Sequence, residues 1–472
     1  MRVVVVGGGI AGLATAFHIQ EGARGTGAPI DCTLVESQTR LGGKVVTWNE
    51  DGFVVEGGPD SFLTQKPWGV ELCRRLGLGN RLVGTNEASR RVYVLWKGKL
   101  RQLPDGVLLI VPTRLRPFAF SSLISPLGKL RMGLDLIIPP RRDGGDESVA
   151  DFVRRRLGRE ALDKIAEPLM GGVHTSDPER QSLLATFPRF AEMERMYGSL
   201  IRSMVAGRRK RPANCEALPA FMTLRGGLQE LVSTLSGRME QVRTILGQTV
   251  VGLRRNGAGS YCLRLGDGAE MQADAVVLAV PARAAAELVD GLDGDLAAHL
   301  SSIRYVSTAT VSLGYRQDTL ARPLDGFGFV IPRKEHRRIT GCTWSSTKFQ
   351  NRAPVGHALL RCFLGSAADP APALLPEDEM VRVAREELRE IMGIQAEPVL
   401  TRVYRWPDAH PQYDVGHLDL VARIDKLQAG CPGIYLAGSS YRGVGLPDCI
   451  HGGIEIAEAI LKDVLPRPQA TF

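Results

Sequence analysis

The chain has 472 residues and a net charge of +8 at pH 7; hydrophobic residues make up 44% of it and charged residues 23%. This length predicts two or three domains, and the composition is that of an ordinary soluble globular protein. No run of 18 apolar residues occurs, which excludes a helix that spans a bilayer. The basic balance favours anionic partners such as nucleic acid, a membrane surface or a polycarboxylate ligand, although a solvated basic surface explains it equally well.

The cysteines and histidines exclude several classes of site. Eight cysteines are scattered without a C-x-x-C pair or zinc spacing, and eight histidines show no H-x-x-x-H pair. We therefore expect no metal, and we expect reduced, mostly buried thiols in a cytoplasmic protein. The chain begins with a predicted strand, so we expect no signal peptide.

The first predicted elements form a strand, a glycine turn and a helix. The apolar run 3–6 predicts the strand, Gly7, Gly9 and Gly12 form a G-x-G-x-x-G motif, and residues 13–18 predict the helix. Gly7 permits a tight turn, Gly9 allows a pyrophosphate to approach the backbone, and Gly12 allows the helix and strand to pack closely. The helix N-terminus then directs free N–H groups at the anion. This context predicts a dinucleotide site; the alternative is a glycine-rich turn without a ligand.

The second predicted strand, 32–35, leads to an acidic residue suited to a ribose. Glu36 lies 24 residues after Gly12, near the spacing expected for the acid that binds a ribose hydroxyl. Arg40 to Lys44 then supplies a second glycine pair with flanking cations, which would add N–H groups and positive charge beside the pyrophosphate. A nicotinamide domain would continue with further βαβ repeats, whereas this chain continues with residues 52–59.

The next part of the chain changes from mixed to helical character. Residues 67–78 predict a helix and residues 91–103 a β-hairpin, whereas 104–221 predicts an inserted helical block. Within that block, 115–138 mixes apolar and basic residues. One interpretation of this segment is a face that meets a membrane surface or lines a channel. The favoured interpretation is a pair of helices packed on the rest of the protein, with their arginine side chains in water. The basic run 208–211 is predicted to be a loop, and because it lacks interleaved aromatic residues we expect no nucleic-acid binding.

The nucleotide-binding pattern then returns. Residues 224–235 predict a helix, 242–251 and 261–265 predict strands, and 275–281 is a continuous apolar strand typical of a parallel sheet covered on both faces.

The last part of the chain predicts a second sheet and a return to the first. A β-rich region spans 309–404, with an amphipathic helix at 377–392. A last strand at 434–438 precedes a closing helix at 449–461. The nucleotide domain is therefore predicted to be built from at least three separated stretches.

Several ordered motifs resemble the flavin-containing amine oxidase superfamily and, within it, the bacterial porphyrinogen oxidases of haem biosynthesis. The resemblance covers essentially the whole chain. The motifs are Arg40–Lys44, Glu56–Phe62, Glu167–Val173, Ser176–Pro178, Leu224–Leu228, Pro411–His417 and Gly443–Ile450. The resemblance implies a flavoprotein with FAD as its cofactor.

The fold expected from these observations is α/β (α+β multidomain): a discontinuous Rossmann-like FAD-binding domain, a β-rich substrate domain and an inserted helical domain. The expected FAD-binding parts are 1–90, 222–295 and 426–472. The substrate domain would comprise the hairpin 91–103 and residues 296–425, and 104–221 would form the helical, membrane-facing or packed domain.

The resemblance also implies cofactor-binding residues. Val250 would contact the adenine through its backbone, and Gly438, Val444 and residues 448–450 would line the diphosphate and the isoalloxazine. The expected cofactor-binding residues are Gly7, Gly8, Gly9, Ile10, Ala11, Gly12, Glu36, Ser37, Arg40, Gly42, Gly43, Lys44, Gly57, Gly58, Pro59, Asp60, Val250, Ala279, Trp406, Gly438, Val444, Gly445, Asp448, Cys449 and Ile450.

A flat tetrapyrrole pocket is implied in the same way. Lys66 and Arg90 or Arg91 would meet propionates, and Phe363 stands where the family has Met or Leu. The expected substrate residues are Lys66, Arg90, Phe327, Gly328, Val330, Phe363 and His410.

The implied activity is an FAD-dependent, oxygen-using oxidation of coproporphyrinogen III to coproporphyrin III that releases hydrogen peroxide. No Ser-His-Asp, paired-carboxylate or Cys-His pattern occurs, which fits chemistry carried by FAD without a catalytic side chain. The alternatives are a protoporphyrinogen IX oxidase, another enzyme of the superfamily such as a carotenoid desaturase or amine oxidase, and a non-catalytic flavoprotein of haem synthesis. Expected partners are the porphyrinogen, dioxygen, transiently a ferrochelatase, and a peripheral membrane surface.

Overall fold

The computed structural model describes residues 1–104, 107–108, 111–112, 121–141, 143–209, 218–257 and 259–464. Residues 115–120 of the predicted helical pair and residues 210–211 of the basic run lie outside these ranges.

A five-stranded parallel sheet forms the first half of the architecture. Its spatial order is Val242–Leu246, Asp31–Glu36, Arg2–Val6, Ala275–Leu278 and Ile434–Leu436. Val3 and Val5 enter one hydrophobic cluster, whereas Val4 and Val6 enter another on the opposite face. Alternate side chains of a strand point to opposite faces, so this sheet is covered on both sides, as its continuous apolar strands predict.

A seven-stranded, mostly antiparallel sheet forms the second half. Its spatial order is Leu400–Pro411, Tyr305–Arg316, His357–Leu364, Gly341–Trp344, Gly326–Val330, Arg91–Trp96 and Lys99–Gln102. Val311 and Leu313 pack in a cluster with helix Glu377–Met392, which begins and ends at the predicted residues. The alternate residues Thr310 and Ser312 therefore lie on the other face of this sheet.

Four smaller sheets occur within the described ranges. Two are three-stranded: Phe62–Leu63, Phe221–Leu224 and Leu82–Gly84 form one, and Val250–Arg255, Tyr261–Leu265 and Glu270–Ala273 form the other. Two are two-stranded: Thr47–Glu50 with Phe53–Glu56, and Val107–Leu108 with Val111–Pro112.

Helices cover the sheets and build a separate block. The α-helices are Ile10–Thr26, Trp68–Arg75, Pro126–Gly133, Val149–Arg156, Arg159–Ala161, Glu167–His174, Leu183–Thr186, Pro188–Tyr197, Leu200–Arg209, Gln229–Gly237, Ala282–Val289, Gly294–Ser301, Ser345–Lys348, Glu377–Met392, His417–Gln428 and Leu446–Val464. A π-helical segment spans Leu162–Ala166. The 3₁₀ turns are Gly79–Arg81, Glu87–Ser89, Leu134–Leu136, Gln317–Thr319, Arg333–Glu335 and Ala371–Leu374.

The helical block has its own core and one buried ionic anchor. Ser148 caps helix Val149–Arg156 by accepting a hydrogen bond from the Asp151 N–H, as its sequence position predicts. Arg156 at the other end is fully buried, and its guanidinium bonds Asp135 Oδ1 at 2.6 Å. The basic run differs from its prediction, because Arg208 and Arg209 continue helix Leu200–Arg209 instead of forming a loop. The helix predicted over 224–235 begins only at Gln229, after strand Phe221–Leu224. None of the helices in the described ranges is long and apolar enough to cross a membrane.

Candidate active site

The first glycine turn leaves no room for side chains at its two structural positions. Gly7 has a φ of +106°, and a Cβ there would lie 2.5 Å from the Ala279 carbonyl oxygen. A Cβ at Gly12 would lie 2.0 Å from the Gly7 carbonyl oxygen. Because of these close approaches, the first turn of helix Ile10–Thr26 packs against the end of strand Arg2–Val6. Ile10 and Ala11 are the first two residues of that turn.

Gly9 differs from these two because it faces open space. No described atom lies within 4 Å of the Cβ that a side chain would add there. The second glycine pair packs against the same turn: the Gly42 N–H donates to the Gly8 carbonyl at 2.8 Å, and Gly9 and Gly42 form a β-bridge. The added Cβ at Gly43 would lie 3.1 Å from the Gly9 Cα. The two loops form one backbone cradle at a helix N-terminus, which suits an anion.

Glu36 closes one end of this cradle. Its buried carboxylate accepts from the Gly8 N–H at 2.6 Å, the Gln38 N–H at 2.8 Å and the Ser37 hydroxyl at 3.2 Å. A carboxylate has about four acceptor sites, so capacity for a further hydroxyl donor is left. The Gln248 N–H donates to the Glu36 carbonyl, which brings the segment leading to Val250 alongside.

Arg40 stabilises the second glycine loop itself. Its guanidinium donates to the Gly43 carbonyl at 2.6 Å and the Val45 carbonyl at 3.3 Å. Arg40, which is predicted to bind the cofactor, therefore also holds the backbone of the second glycine loop in place.

A third glycine pair crosses behind Lys44. A Cβ at Gly58 would lie 1.8 Å from the Lys44 carbonyl oxygen, so only glycine fits this crossing. Trp406 Nε1 donates to the Gly57 carbonyl at 2.7 Å, and Arg361 donates to the Gly58 carbonyl at 2.7 Å. The Gly57–Gly58 backbone is thus held by two side chains of the seven-stranded sheet.

Asp60, two residues after Gly58 and next to Pro59, lies in a buried ionic network. Its carboxylate accepts from Lys348 Nζ at 2.8 Å. Burial alone would raise the pKa of Asp60, but the charges of Lys348 and Arg361 outweigh it and hold that pKa well below its usual range. Asp60 is therefore a charged anchor between the two halves of the molecule.

Lys44, His410 and Cys449 come together from three distant segments. The Lys44 ammonium donates to the Ala409 carbonyl, and burial lowers its pKa. Burial, with a smaller contribution from Lys44, lowers the pKa of His410 to about 3, so His410 is neutral. Burial raises the pKa of the Cys449 thiol to about 12. His410 and the Cys449 thiol are therefore uncharged beside the Lys44 ammonium at neutral pH.

The loop before the last helix adds a further glycine turn. Gly443 has a φ of +146°, its N–H donates to the Tyr413 hydroxyl at 2.8 Å, and the Asp448 carboxylate packs beside both Gly443 and Gly445. Val444 is exposed, and Cys449 and Ile450 are buried in the first turns of helix Leu446–Val464. Gly438, with a φ of +115°, has no described atom within 4 Å of its added Cβ.

One face of the seven-stranded sheet provides an apolar wall. Across the ladder, Val330 pairs with Gly341, Gly341 with Phe363, and Phe363 with Thr310, so Val330 and Phe363 share a face. Gly328 lies on this face with a φ of +128°, and a Cβ there would lie 2.0 Å from the Cys342 carbonyl oxygen. Phe327 is the unpaired residue at a bulge in the same strand, so the ladder does not assign it to the wall.

The two predicted propionate cations already have acidic neighbours. Lys66 Nζ lies 2.5 Å from Asp448 Oδ1, and Arg90 Nη1 lies 3.5 Å from Glu87 Oε2. Lys66 is therefore at the site, beside the glycine loop at 443–445, whereas Arg90 lies in an exposed turn. Arg91 pairs with Asp325 at 2.5 Å.

Several residues of the site could not be assigned from sequence. Tyr413 orders the last glycine loop, and its hydroxyl also donates to the Ser439 carbonyl at 2.7 Å. Arg361 and Lys348 hold the segment 57–60 from the other sheet. Tyr413 stands inside the Pro411–His417 motif, which was the available signal; Arg361 and Lys348 carry none.

The cradle fits a dinucleotide on its own geometry: an open Gly9, a helix N-terminus and an acid with spare acceptor capacity. The family model described as flavin containing amine oxidoreductase matches residues 10–461. The chain belongs to this family. Its cofactor is FAD, and the fold is an α/β multidomain fold of the FAD-dependent amine oxidase type.

Similar proteins extend over nearly the whole chain. It is 37% identical to the coproporphyrinogen III oxidase of Bacillus subtilis, with 96% of each chain covered. It is 32% identical to the chloroplastic protoporphyrinogen oxidase 1 of Arabidopsis thaliana, covering 96% of this chain and 87% of the relative. A crystal structure of an Exiguobacterium sp. 255-15 protein assigned as a protoporphyrinogen oxidase superimposes with a TM-score of 0.87 at 32% identity, covering 98% of this chain and 99% of that one.

Proposed function

We propose that this protein is an FAD-dependent oxidase that converts coproporphyrinogen III to coproporphyrin III in haem biosynthesis. The observation that carries the proposal is the 37% identity, over 96% of both chains, to the Bacillus subtilis coproporphyrinogen III oxidase. The plant protoporphyrinogen oxidase is less similar at 32%, which favours the four-carboxylate substrate over protoporphyrinogen IX.

The side chains of the site suit a macrocycle with an apolar face and an acidic rim. Val330 and Phe363 supply apolar surface. Gly328 lies on the same face of the sheet and adds no side chain to it. Lys66, half exposed beside Asp448, supplies a cation at the rim. A few placed charges around apolar walls are what such ligands require.

The chain would hold FAD through the residues of the cradle. Backbone N–H groups around Gly9 and Gly43 bind the pyrophosphate, Glu36 binds the ribose, and the segment at Val250 meets the adenine. When bound, FAD supplies the hydride acceptor and passes the electrons to dioxygen. The overall conversion is three two-electron oxidations, in which three dioxygen molecules become three of hydrogen peroxide. The described side chains contribute binding, orientation and exclusion of water.

The test compares both porphyrinogens on one holoprotein preparation. Anaerobic addition of coproporphyrinogen III should bleach the flavin absorbance, and air should restore it with hydrogen peroxide and porphyrin fluorescence. The kcat/KM for coproporphyrinogen III should exceed that for protoporphyrinogen IX. An unchanged flavin spectrum with both substrates contradicts the oxidase proposal, and a higher kcat/KM for protoporphyrinogen IX supports the alternative substrate.

We also propose a domain division, with two boundaries adjusted to the helices. Residues 1–90, 222–303 and 416–464 would form the FAD-binding domain, because the expected boundaries at 295/296 and 425/426 cut helices Gly294–Ser301 and His417–Gln428. Both helices bury side chains in the cluster under the five-stranded sheet. The hairpin 91–103 and the residues between 303 and 416 would form the substrate domain, and the helical block would be the third.

A peripheral membrane contact of the helical block is a further part of the proposal. Leu127, Leu130 and Ile137 are 78%, 68% and 75% exposed, close together along one segment. Sedimentation with anionic vesicles should weaken for Leu130→Asp but not for Val355→Asp, a control at an exposed valine outside that segment. Equal vesicle binding by the two variants would contradict this proposed contact. Since the product is a porphyrin ready for metal insertion, we also propose transient contact with a ferrochelatase. Seven cysteines within the described ranges are free and buried, which supports a cytoplasmic setting.

A further inference from the structure

A small polar cavity lies between the Phe53–Glu56 strand and the seven-stranded sheet, next to the wall formed by Val330 and Phe363, because its lining residue Arg361 lies over the Phe363 ring. Its volume is about 10 Å³, which is room for one small occupant. Its polar lining residues are Glu56, Asp60, Ser312, Ser345, Arg352 and Arg361. We infer that this cavity is a binding site for a single monovalent anion of halide size.

The cavity presents hydrogen-bond donors that no described residue uses. Arg361 and Ser312 are only 4% and 1% exposed and face each other across two neighbouring strands. Arg361 Nη2 donates to the Gly57 and Gly58 carbonyls, but its Nε has no partner within the described ranges, and neither has the Ser312 hydroxyl. Buried donors normally have acceptors, so a guanidinium N–H and a hydroxyl that both lack one indicate a bound acceptor.

The charges around the cavity do not balance. Three cations, Lys348, Arg352 and Arg361, stand against the carboxyl groups of Asp60 and Glu56. Asp60 is held in its charged form, whereas burial raises the pKa of Glu56 to about 7. The Glu56 carboxyl accepts hydrogen bonds from the Thr47 hydroxyl at 2.6 Å and the Leu228 N–H at 2.8 Å. The charged groups that act on it are Arg352 and Arg361, and the Tyr404 phenol lies nearby. Since three cations stand against two carboxyl groups, at least one positive charge is uncompensated in a largely buried setting, which is costly.

An anion satisfies both the donors and the charge. A water molecule would accept from Arg361 but leave the charge unbalanced, and a metal cation would be repelled by the three cationic side chains. The small size of the cavity excludes a polyatomic anion such as phosphate, so the candidate occupant is a single monatomic ion such as chloride. This inference does not depend on the proposed substrate.

The first experiment is crystallographic. Crystals of the holoprotein soaked in sodium bromide should show an anomalous peak in the cavity, within hydrogen-bonding distance of Arg361 and Ser312. A cavity without that peak overturns the inference.

The second experiment follows the thermal midpoint in solution at constant ionic strength, with chloride exchanged for the larger gluconate ion. Chloride should raise the midpoint by about 2 °C, and more at pH 6 than at pH 8 because Glu56 is then protonated. Ser312→Ala should lose most of this chloride effect. Thr310→Val should retain it, because Thr310 is a buried, unpartnered hydroxyl of the same strand and face outside the cavity lining. Equal midpoints in both salts, or equal effects of the two variants, overturn the inference even if bromide is seen in the crystal.

Discussion

Replacing Glu36 by glutamine should weaken FAD binding about 100-fold while leaving the apoprotein folded. The carboxylate accepts from the Gly8 and Gln38 N–H groups and the Ser37 hydroxyl, and the remaining acceptor capacity is assigned to the ribose. An amide has one oxygen, so its NH₂ group must face either a backbone donor or the ribose. Losing a hydrogen bond to a charged acceptor costs about 1.5–3 kcal/mol, and about 2.7 kcal/mol corresponds to 100-fold.

The assay is titration of apoprotein with FAD, followed by the quenching of flavin fluorescence. Asp31→Asn is the matched control, because it makes the same carboxylate-to-amide change at the exposed, opposite end of the same strand and should change the dissociation constant less than threefold. Far-ultraviolet circular dichroism of the apoproteins separates loss of binding from loss of fold. A folded Glu36→Gln protein with wild-type affinity would falsify the assignment of Glu36 to the ribose.

Three further predictions concern stability and substrate binding. The pKa of Glu56 is raised from 4.5 to about 7, so the stability that its protonated form contributes at low pH is lost as pH rises through 7. Between pH 4 and 8, the free energy of unfolding in urea should therefore fall by roughly 3 kcal/mol less for Glu56→Gln than for wild type. Parallel pH profiles of the two proteins would contradict this. Gly328→Ala should destabilise the fold by about 3 kcal/mol through strain and the clash with the Cys342 carbonyl, whereas Gly356→Ala, with positive φ but open space, should cost about 1 kcal/mol; equal thermal shifts would remove the clash as the cause. Lys66→Ala should raise KM for coproporphyrinogen about fivefold with little change in kcat, and an unaltered KM would exclude Lys66 from the substrate rim.

Local elements were predictable because their periodicity is strong. The strand–glycine–helix unit at 2–26 and helix Glu377–Met392 follow directly from apolar spacing and turn residues. The structural roles of Gly7 and Gly12 were predictable from the G-x-G-x-x-G motif, and the structure leaves no room for a side chain at either position.

The contacts between distant segments were not predictable. Lys66 pairs with Asp448 across 382 residues, and Arg361 holds Gly58 across 303. Nothing local to these residues indicates the partner, because Lys66 and Gly58 lie in loops and Asp448 in a helix, and only the complete fold brings these segments together. Helix ends were also difficult to predict. The helix predicted over 67–78 ends at Arg75, because Gly77 has a positive φ that a continuing helix does not allow.

The order of strands in the five-stranded sheet constrains how the protein is made. Four of the five strands have been synthesised once residue 278 is complete, but the fifth, Ile434–Leu436, follows only about 155 residues later. At 5–20 residues per second, that interval lasts roughly 10–30 s on the ribosome. During it the edge strand Ala275–Leu278 lacks its neighbour, so the nascent chain exposes a pairing edge that chaperones would need to shield.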